Sequence, residues 1–311
     1  MPLVIWFHLL YNSPMKTRKF RNRRRKILFF LIIGSVVLFI ALMVEFFLFR
    51  YNANRSVVFR SESNIIQIYK DRKWQDFTVN GMTVSGPDVS RDEYTRILKT
   101  LAGLEVNLIK VNTIMQPDFY QAFFEYNMLT KKPLYMLHGI YINNDLLRQF
   151  KNAYDEPLIN AFFEGIRRTV DVVHGNAVIR TGGGVSTITY NLNIAPYVAG
   201  YFFSSDINTD FVVSTNDRNN HVLGFEGDYL YTENASPYEA WLAGMSNYVV
   251  SYEQENYRGP TRLMGWNNRQ AGLSGQGGSF GDDWILNFSH VQITEKYIAG
   301  FFTSLENYPG L

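Results

Sequence analysis

The chain has 311 residues, 46% of them hydrophobic, with 30 basic and 28 acidic side chains and no cysteine. The lack of cysteine excludes disulfides, thiolate metal sites and cysteine nucleophiles, so stability must come from a sizeable core. Eight of the basic residues but only one acidic residue precede Arg50. The rest of the chain is therefore acidic, which argues against nucleic acid as a partner, since that calls for a clustered basic face.

The opening "MPLVIWFHLLYNSP" fits neither a targeting signal nor a domain, and Met15 is the more natural start. Residues 16–26, "KTRKFRNRRRK", form a basic arm, and residues 27–49 are an apolar run whose only charge is Glu45. As a helix that segment spans roughly 34 Å, enough to cross a bilayer core. The basic flank should stay cytoplasmic, which predicts a single-pass cell-membrane protein with its C-terminal domain extracellular. A cleaved signal peptide is the competing reading, but its apolar region should run only about 7–15 residues and end in a small-x-small site. Neither feature is present, so an uncleaved anchor is expected. Residues 50–75 read as a polar stalk with one apolar stretch, "NIIQIY".

From Phe77 onward, short apolar strands alternate with longer amphipathic helices. "FTVNGM" (77–82) is the first predicted strand, followed by a helix with Ser90 as N-cap and Glu93 three residues on. "VNLIKV" (106–111) is a strand, and the next helix starts at Pro117. "PLYMLHG" (133–139) leads to a long helix closed by Gly175. "VAGYFFS" (198–204) is the fourth strand, and Ser236 with Glu239 caps another helix. "RLMGWN" (262–267) and "YIAGFFTS" (297–304) complete six strand signals. This alternation predicts a parallel sheet covered by helices, either open and doubly wound or a barrel.

In both architectures active groups gather where strands end. Just past the predicted strands lie Asn112 and Thr113, then His138 and Tyr141, Asp206, Trp266 with Asn267, and Glu306. Carboxylate, amide, imidazole and aromatic groups together suit sugar recognition, in which hydroxyls meet polar partners and ring faces meet flat apolar ones. Asp206, in "SSDINTD", serves equally well as a turn former. Glu233, before the helix at Ser236, is either a site carboxylate or a partner of the positive helix end. His138 is either a site residue or a satisfied core histidine, and His174 in a last helical turn suits the helix dipole.

"RTGGGVST" (180–187) lacks the lysine of a phosphate loop and reads as a turn between extended segments. The glycine-rich 272–283 stretch reads as a loop over a cleft. The five histidines are scattered, and there is no HExxH, no acidic calcium loop and no GxSxG elbow. No metal and no cofactor are expected.

"VNLIKVNTIMQPDFYQAFFEYN", "KKPLYMLHGIYIN", "VDVVHGNA", "APYVAGYFFSSDINTDFV" and "YTENASPYEAWLAGMSNYVVSYEQENY" together resemble a family of membrane-attached bacterial proteins with a glycoside hydrolase family 2-type TIM barrel. The resemblance runs from about Phe77 to the C-terminus. It implies a (β/α)8 barrel and action on extracellular polysaccharide, with Asp206 as general acid/base and a nucleophile on the missing seventh strand; Glu233 and Glu306 are the local candidates for a second carboxylate. Trp266 and Tyr141 would stack on sugar rings, while Asn112, His138, Asn267 and Glu306 would bond hydroxyls.

Two departures from the family bear on catalysis. Where its fourth strand ends in Gly-Ile-Glu-Trp-Asp-Pro, this chain has Ser204, Ser205, Asp206, Ile207, Asn208 and Thr209. The carboxyl group is kept but set back by about one bond, and a misplacement of about 1 Å can cost on the order of 100-fold. An eight-stranded barrel also needs two strands beyond the six signalled here, so an incomplete barrel is expected, with the family's carboxylate strand, like Val-Ala-Glu-Phe-Gly, beyond Leu311. Three readings follow: a membrane-anchored glycoside hydrolase-like or transglycosylase-like protein, a non-catalytic saccharide-binding or scaffold protein of an envelope or exopolysaccharide system, or a truncated gene product.

Overall fold

The computed structural model describes residues 26–44, 58–86, 88–181, 186–205, 207, 209–268 and 286–305. The chain divides into two compact units, Met1–Arg55 and Ser56–Leu311. In the first, α1 (Lys26–Val44) is a helix long and apolar enough to cross a membrane, and every one of its residues is exposed.

The second unit is a mixed α/β structure. Its centre is a six-stranded sheet of β4 (Gly81–Thr83), β5 (Leu108–Val111), β6 (Tyr135–Ile140), β9 (Val198–Phe203), β11 (Leu263–Asn268) and β13 (Phe301–Leu305). These strands lie side by side in chain order and every pairing is parallel. Parallel neighbours need long crossovers, and helices lie in the crossovers from β4 through to β11. These are α2 (Arg91–Gly103), α3 (Pro117–Leu129), α4 (Asn144–Gln149), α5 (Glu156–Val173), α6 (Thr209–Arg218) and α7 (Pro237–Tyr257).

The helix signals hold closely. The Ser90 side chain accepts from the Glu93 N–H, Pro117 opens α3, and Ser236 and Glu239 form a reciprocal capping box on α7. Gly175 follows α5 with φ of +68°, a left-handed conformation that glycine adopts without Cβ strain.

Two antiparallel pairs complete the unit. β7 (Ala177–Thr181) and β8 (Ser186–Tyr190) form a hairpin at the predicted extended segments, and residues 182–185 between them lie outside the described residues. β10 (Leu230–Thr232) pairs with β12 (Val291–Ile293). Short strands of this kind, and the six-residue α4, carry too little periodicity to be read from sequence.

The expected stalk gives way to structure from Phe59 onward. β1 (Phe59–Glu62), β2 (Ile65–Lys70) and β3 (Lys73–Asp76) form an antiparallel sheet. Its two-residue turns, Ser63–Asn64 and Asp71–Arg72, have positive φ at both positions, the geometry that matches hairpin twist. Phe59 and Ile68 are buried against Leu108, Tyr135, Ala199 and Leu263, at the starts of the parallel strands. Phe77 joins this cluster, edge-on to Phe59 and Tyr135, and its N–H donates to Ile66. That is why the first parallel strand starts at Gly81 and not at Phe77.

The helix-facing side of the sheet is the larger core, where Phe162 packs edge-on against Phe203 and Trp241. A buried polar knot sits within it. Oε1 of Glu253 accepts from His174 Nε2 at 2.7 Å, Arg262 Nε at 2.7 Å and the Tyr201 hydroxyl at 3.0 Å. Arg262 also donates to the Val198 carbonyl, and the Tyr297 hydroxyl donates to the Arg262 carbonyl. Elements α5, α7, β9 and β11 are thereby tied at one carboxylate.

Burial alone would push the Glu253 carboxyl up, but the Arg262 guanidinium and the His174 hydrogen bond hold it below its ordinary value. A carboxylate with a depressed folded pKa contributes stability above its unfolded pKa, about 4.3, and loses it as pH falls through the folded value. Glu253→Gln leaves Arg262 buried without its counter-charge and should destabilise the unit by about 3–5 kcal/mol. The variant should also lose part of the wild-type decline in stability below the ordinary carboxylate range. Urea melts across acid pH measure both effects. A midpoint within experimental error of wild type would show that the knot is not holding these elements.

Candidate functional site

The C-terminal ends of β5, β6 and β9 form a rim. Asn112 follows β5 and is exposed, and Tyr141 follows β6 with 44% of its surface exposed. The strand ends are pinned together. Ser204 Oγ donates to the Asn112 carbonyl, and Ser205 Oγ accepts from the Ile142 N–H at 2.7 Å while donating to the Ile142 carbonyl at 3.1 Å. Gly139 is required here, because a Cβ at this position would collide with the backbone of Asn112. Asp206 directly follows the anchored Ser205 and lies outside the described residues, as does Glu306.

Below the rim, Phe202 is fully buried and sits in register between Gly139 and Gly265, neighbours without side chains. The Lys110 ammonium lies 4.6 Å from the centre of the Phe202 ring. Lys110 escaped the sequence reading. Its signal was there, as the one charge in the apolar run "VNLIKV", two positions from the buried Leu108 and so on the same strand face.

Two expected sugar contacts turn out to belong to the helix side of the sheet. His138 is fully buried, with Nε2 accepting from the Tyr120 hydroxyl at 2.7 Å and Nδ1–H donating to the Gly139 carbonyl at 3.0 Å. The Met115 N–H donates to the same Tyr120 oxygen, so His138 steadies the loop that follows Asn112. Trp266 is 1% exposed, and its indole N–H donates to Ser246 Oγ of α7 at 3.0 Å. No sugar ring reaches either side chain in this arrangement. Asn267 pairs with Ser304 across β11 and β13.

Glu233 stands apart from the rim residues. It follows β10, which belongs to a separate two-stranded sheet, and it is exposed, with its N–H donating to the His290 carbonyl at 2.8 Å. The loop it contacts is held by a neighbouring buried carboxylate, Glu239. This group accepts from the Ser236 N–H at 2.8 Å, the Asn287 N–H at 2.8 Å and His290 Nδ1 at 2.9 Å. Asn287 Nδ2 donates to His290 Nε2 at 3.0 Å. Both imidazole nitrogens are thus engaged, and the Glu239–His290 pair works as a brace for the start of α7.

Of the expected site residues, the structure gathers Asn112 and Tyr141 on one rim, beside Ser204 and Ser205. It separates His138, Trp266 and Glu233 from them. Among the described residues, no group of three or more His, Asp or Glu side chains is placed to hold a metal ion.

Burial lowers the His138 pKa to about 4, and the Gly139 carbonyl offsets this only in part. The native state therefore holds His138 neutral, while the unfolded chain takes up a proton near pH 6.5. Its contribution to stability is complete above pH 6.5 and is lost as pH falls towards 4. Stability should fall by on the order of 1 kcal/mol per pH unit through this window. His138→Gln should flatten that slope, and parallel wild-type and variant slopes in urea melts would contradict the assignment.

Comparison of the chain with family models, with characterised proteins and with solved structures finds no match.

Proposed function

We propose that the second unit is a barrel-type, glycoside hydrolase-like or transglycosylase-like domain acting on extracellular polysaccharide at the C-terminal rim of its sheet. The observation that carries this reading is the rim itself. An exposed amide and an exposed phenol ring stand at adjacent strand ends, next to a pinned Ser204–Ser205 segment that Asp206 follows in sequence. The strand order supports a barrel-type scaffold, because doubly wound sheets reverse direction at a switch point and this one runs in chain order throughout.

In this mechanism Tyr141 stacks on a sugar ring and Asn112 bonds its hydroxyls. Asp206 protonates the leaving glycosidic oxygen as general acid; with retention it then activates the incoming water or sugar hydroxyl as base, and with inversion the second carboxylate activates the water instead. A second carboxylate on the opposite side of the bond must complete the pair, about 5–5.5 Å away for retention or about 6.5–9.5 Å for inversion. The saccharide-binding alternative draws on the placement of Glu233, exposed and on a different sheet from the rim. In that reading the rim binds a polymer and performs no chemistry.

Turnover and binding on a panel of β-linked polysaccharides separate the two. For an enzyme, Asp206→Asn should lower turnover by about 10²-fold or more with little change in affinity, and Asp206→Glu should keep or raise activity. Tyr141→Ala should weaken binding about tenfold in both readings. Binding without turnover by the wild type would establish the binding protein. Turnover that survives Asp206→Asn would leave Asp206 as the start of a turn.

The basic arm at 16–26 supports an orientation with the N-terminus in the cytoplasm and the second unit outside. Protease added to intact cells should therefore degrade the second unit. Protection until the membrane is permeabilised would reverse the orientation.

A further inference from the structure

Beside the loop that follows Asn112, the start of α3, the last turn of α5 and β8 border a small half-open cavity of about 40 Å³. Its inner wall is made by Tyr120, Val172 and Tyr190, all buried, with the two tyrosine rings edge to face at 5.7 Å. Both hydroxyls are committed to other groups. The Tyr120 oxygen accepts from the Met115 N–H at 3.1 Å and its proton goes to His138, while Tyr190 donates to the Met115 carbonyl at 3.1 Å. The inner wall therefore presents carbon. The outer wall is polar and is made by Gln121, Thr189 and Asn191, the last two exposed.

We propose that this cavity takes an acetyl group carried by the polysaccharide, so that rim and cavity together select an acetylated polymer. The proposal rests on the saccharide reading and names the substrate class of the same site. Size is the first argument. A water needs at least about 10–15 Å³ of such space, so the cavity holds about three water-sized groups. A sugar ring is too large for it, whereas the methyl, carbonyl carbon and oxygen of an acetyl fit. Polarity is the second argument, because the methyl meets ring carbon and Val172 while the carbonyl stays at the amide-lined mouth. Gln121 gives one amide N–H to Glu125 at 3.1 Å and has a second to offer. Place is the third. Met115, which both tyrosines hold, comes three residues after Asn112 and so lies within about 11 Å of it. A polymer seated on Asn112 and Tyr141 thus brings a neighbouring unit to the cavity.

Occupancy acts on the rim as well as on affinity. The N–H and the carbonyl of Met115 are held by the two rings that wall the cavity. A group seated against those rings fixes the loop that carries Asn112. Acetyl in the cavity and sugar on the rim therefore strengthen each other, and by linkage the effect is mutual.

The test measures binding of the full chain in detergent to matched saccharides with and without acetyl groups. One pair is chitin against chitosan oligosaccharides, at mildly alkaline pH where the freed amines are neutral. The other is acetylated xylan against the same xylan after alkaline de-esterification, so the two pairs separate amide-linked from ester-linked acetyl. The acetylated member of at least one pair should bind about tenfold tighter, the scale of one buried methyl and one hydrogen bond. Val172→Met, which fills the cavity from its inner wall, should erase that preference. Gln121→Ala, a change on the surface of α3, should reduce it about threefold. Equal affinity within both pairs, with binding intact, would overturn the proposal, leaving the cavity to ordered water and the saccharide reading in place. A preference that survives both substitutions would overturn it too. Binding to no member of either pair would count against the saccharide reading, and this proposal would fall with it.

Discussion

A parallel sheet has to be buried on both faces, because its strands come with crossover helices on one side and leave the other in need of cover. Most of the second unit follows from how the two faces are filled. The helix side takes the conventional solution, with aromatic and aliphatic side chains of α2, α3, α5 and α7 packed into one core. Among the described residues, the other side has no second helix layer. Its lower part is closed by the β1–β3 sheet through Phe59 and Ile68, and further up lies buried Phe202, in register between Gly139 and Gly265, with Lys110 over the ring. The space above Gly265 is taken by the Phe302 ring, and the space above Gly139 by the backbone of Asn112.

Polar groups divide between the same two faces. Glu253, His174, Arg262 and Tyr201 satisfy one another between the sheet and its helices, and this arrangement explains why a charge pair can be buried there without penalty from unpaired groups. Glu239 performs a similar task at the opposite end of α7, combining a capping box with a brace on the 287–290 turn. The segments "DVVHGNA" and "TENASPYEAWLA" contain His174 and Glu239. Both residues serve packing and capping.

Strand and helix order were legible because each signal was local. Ser236 with Glu239, Pro117 and Gly175 mark element ends by backbone hydrogen bonding or by φ alone, which neighbours in sequence determine. The β1–β3 sheet was hidden because its turns use Ser63–Asn64 and Asp71–Arg72 in place of the glycine that usually marks such hairpins. Only Phe59 and Ile68 of its apolar residues are fully covered, too few to show a period. Its burial is supplied by strand starts far along the chain, a tertiary effect with no local trace.

The site was legible in part, and parity decides which part. Tyr141 and Asn112 come after their strands end, so the rim holds them whichever face the strand itself presents. His138 and Trp266 lie inside β6 and β11, where a step of one residue moves a side chain from one face to the other. Both were expected at the cleft because they stand near strand ends, yet His138 aligns with Val111 and Tyr201, which face the helices. Trp266 aligns likewise with Phe203. The same rule, run from the buried Leu108, puts Lys110 on the face that leads up to the rim. Distance from a strand's end thus selects candidates, and the face shared with a residue of known burial decides which of them a ligand can meet.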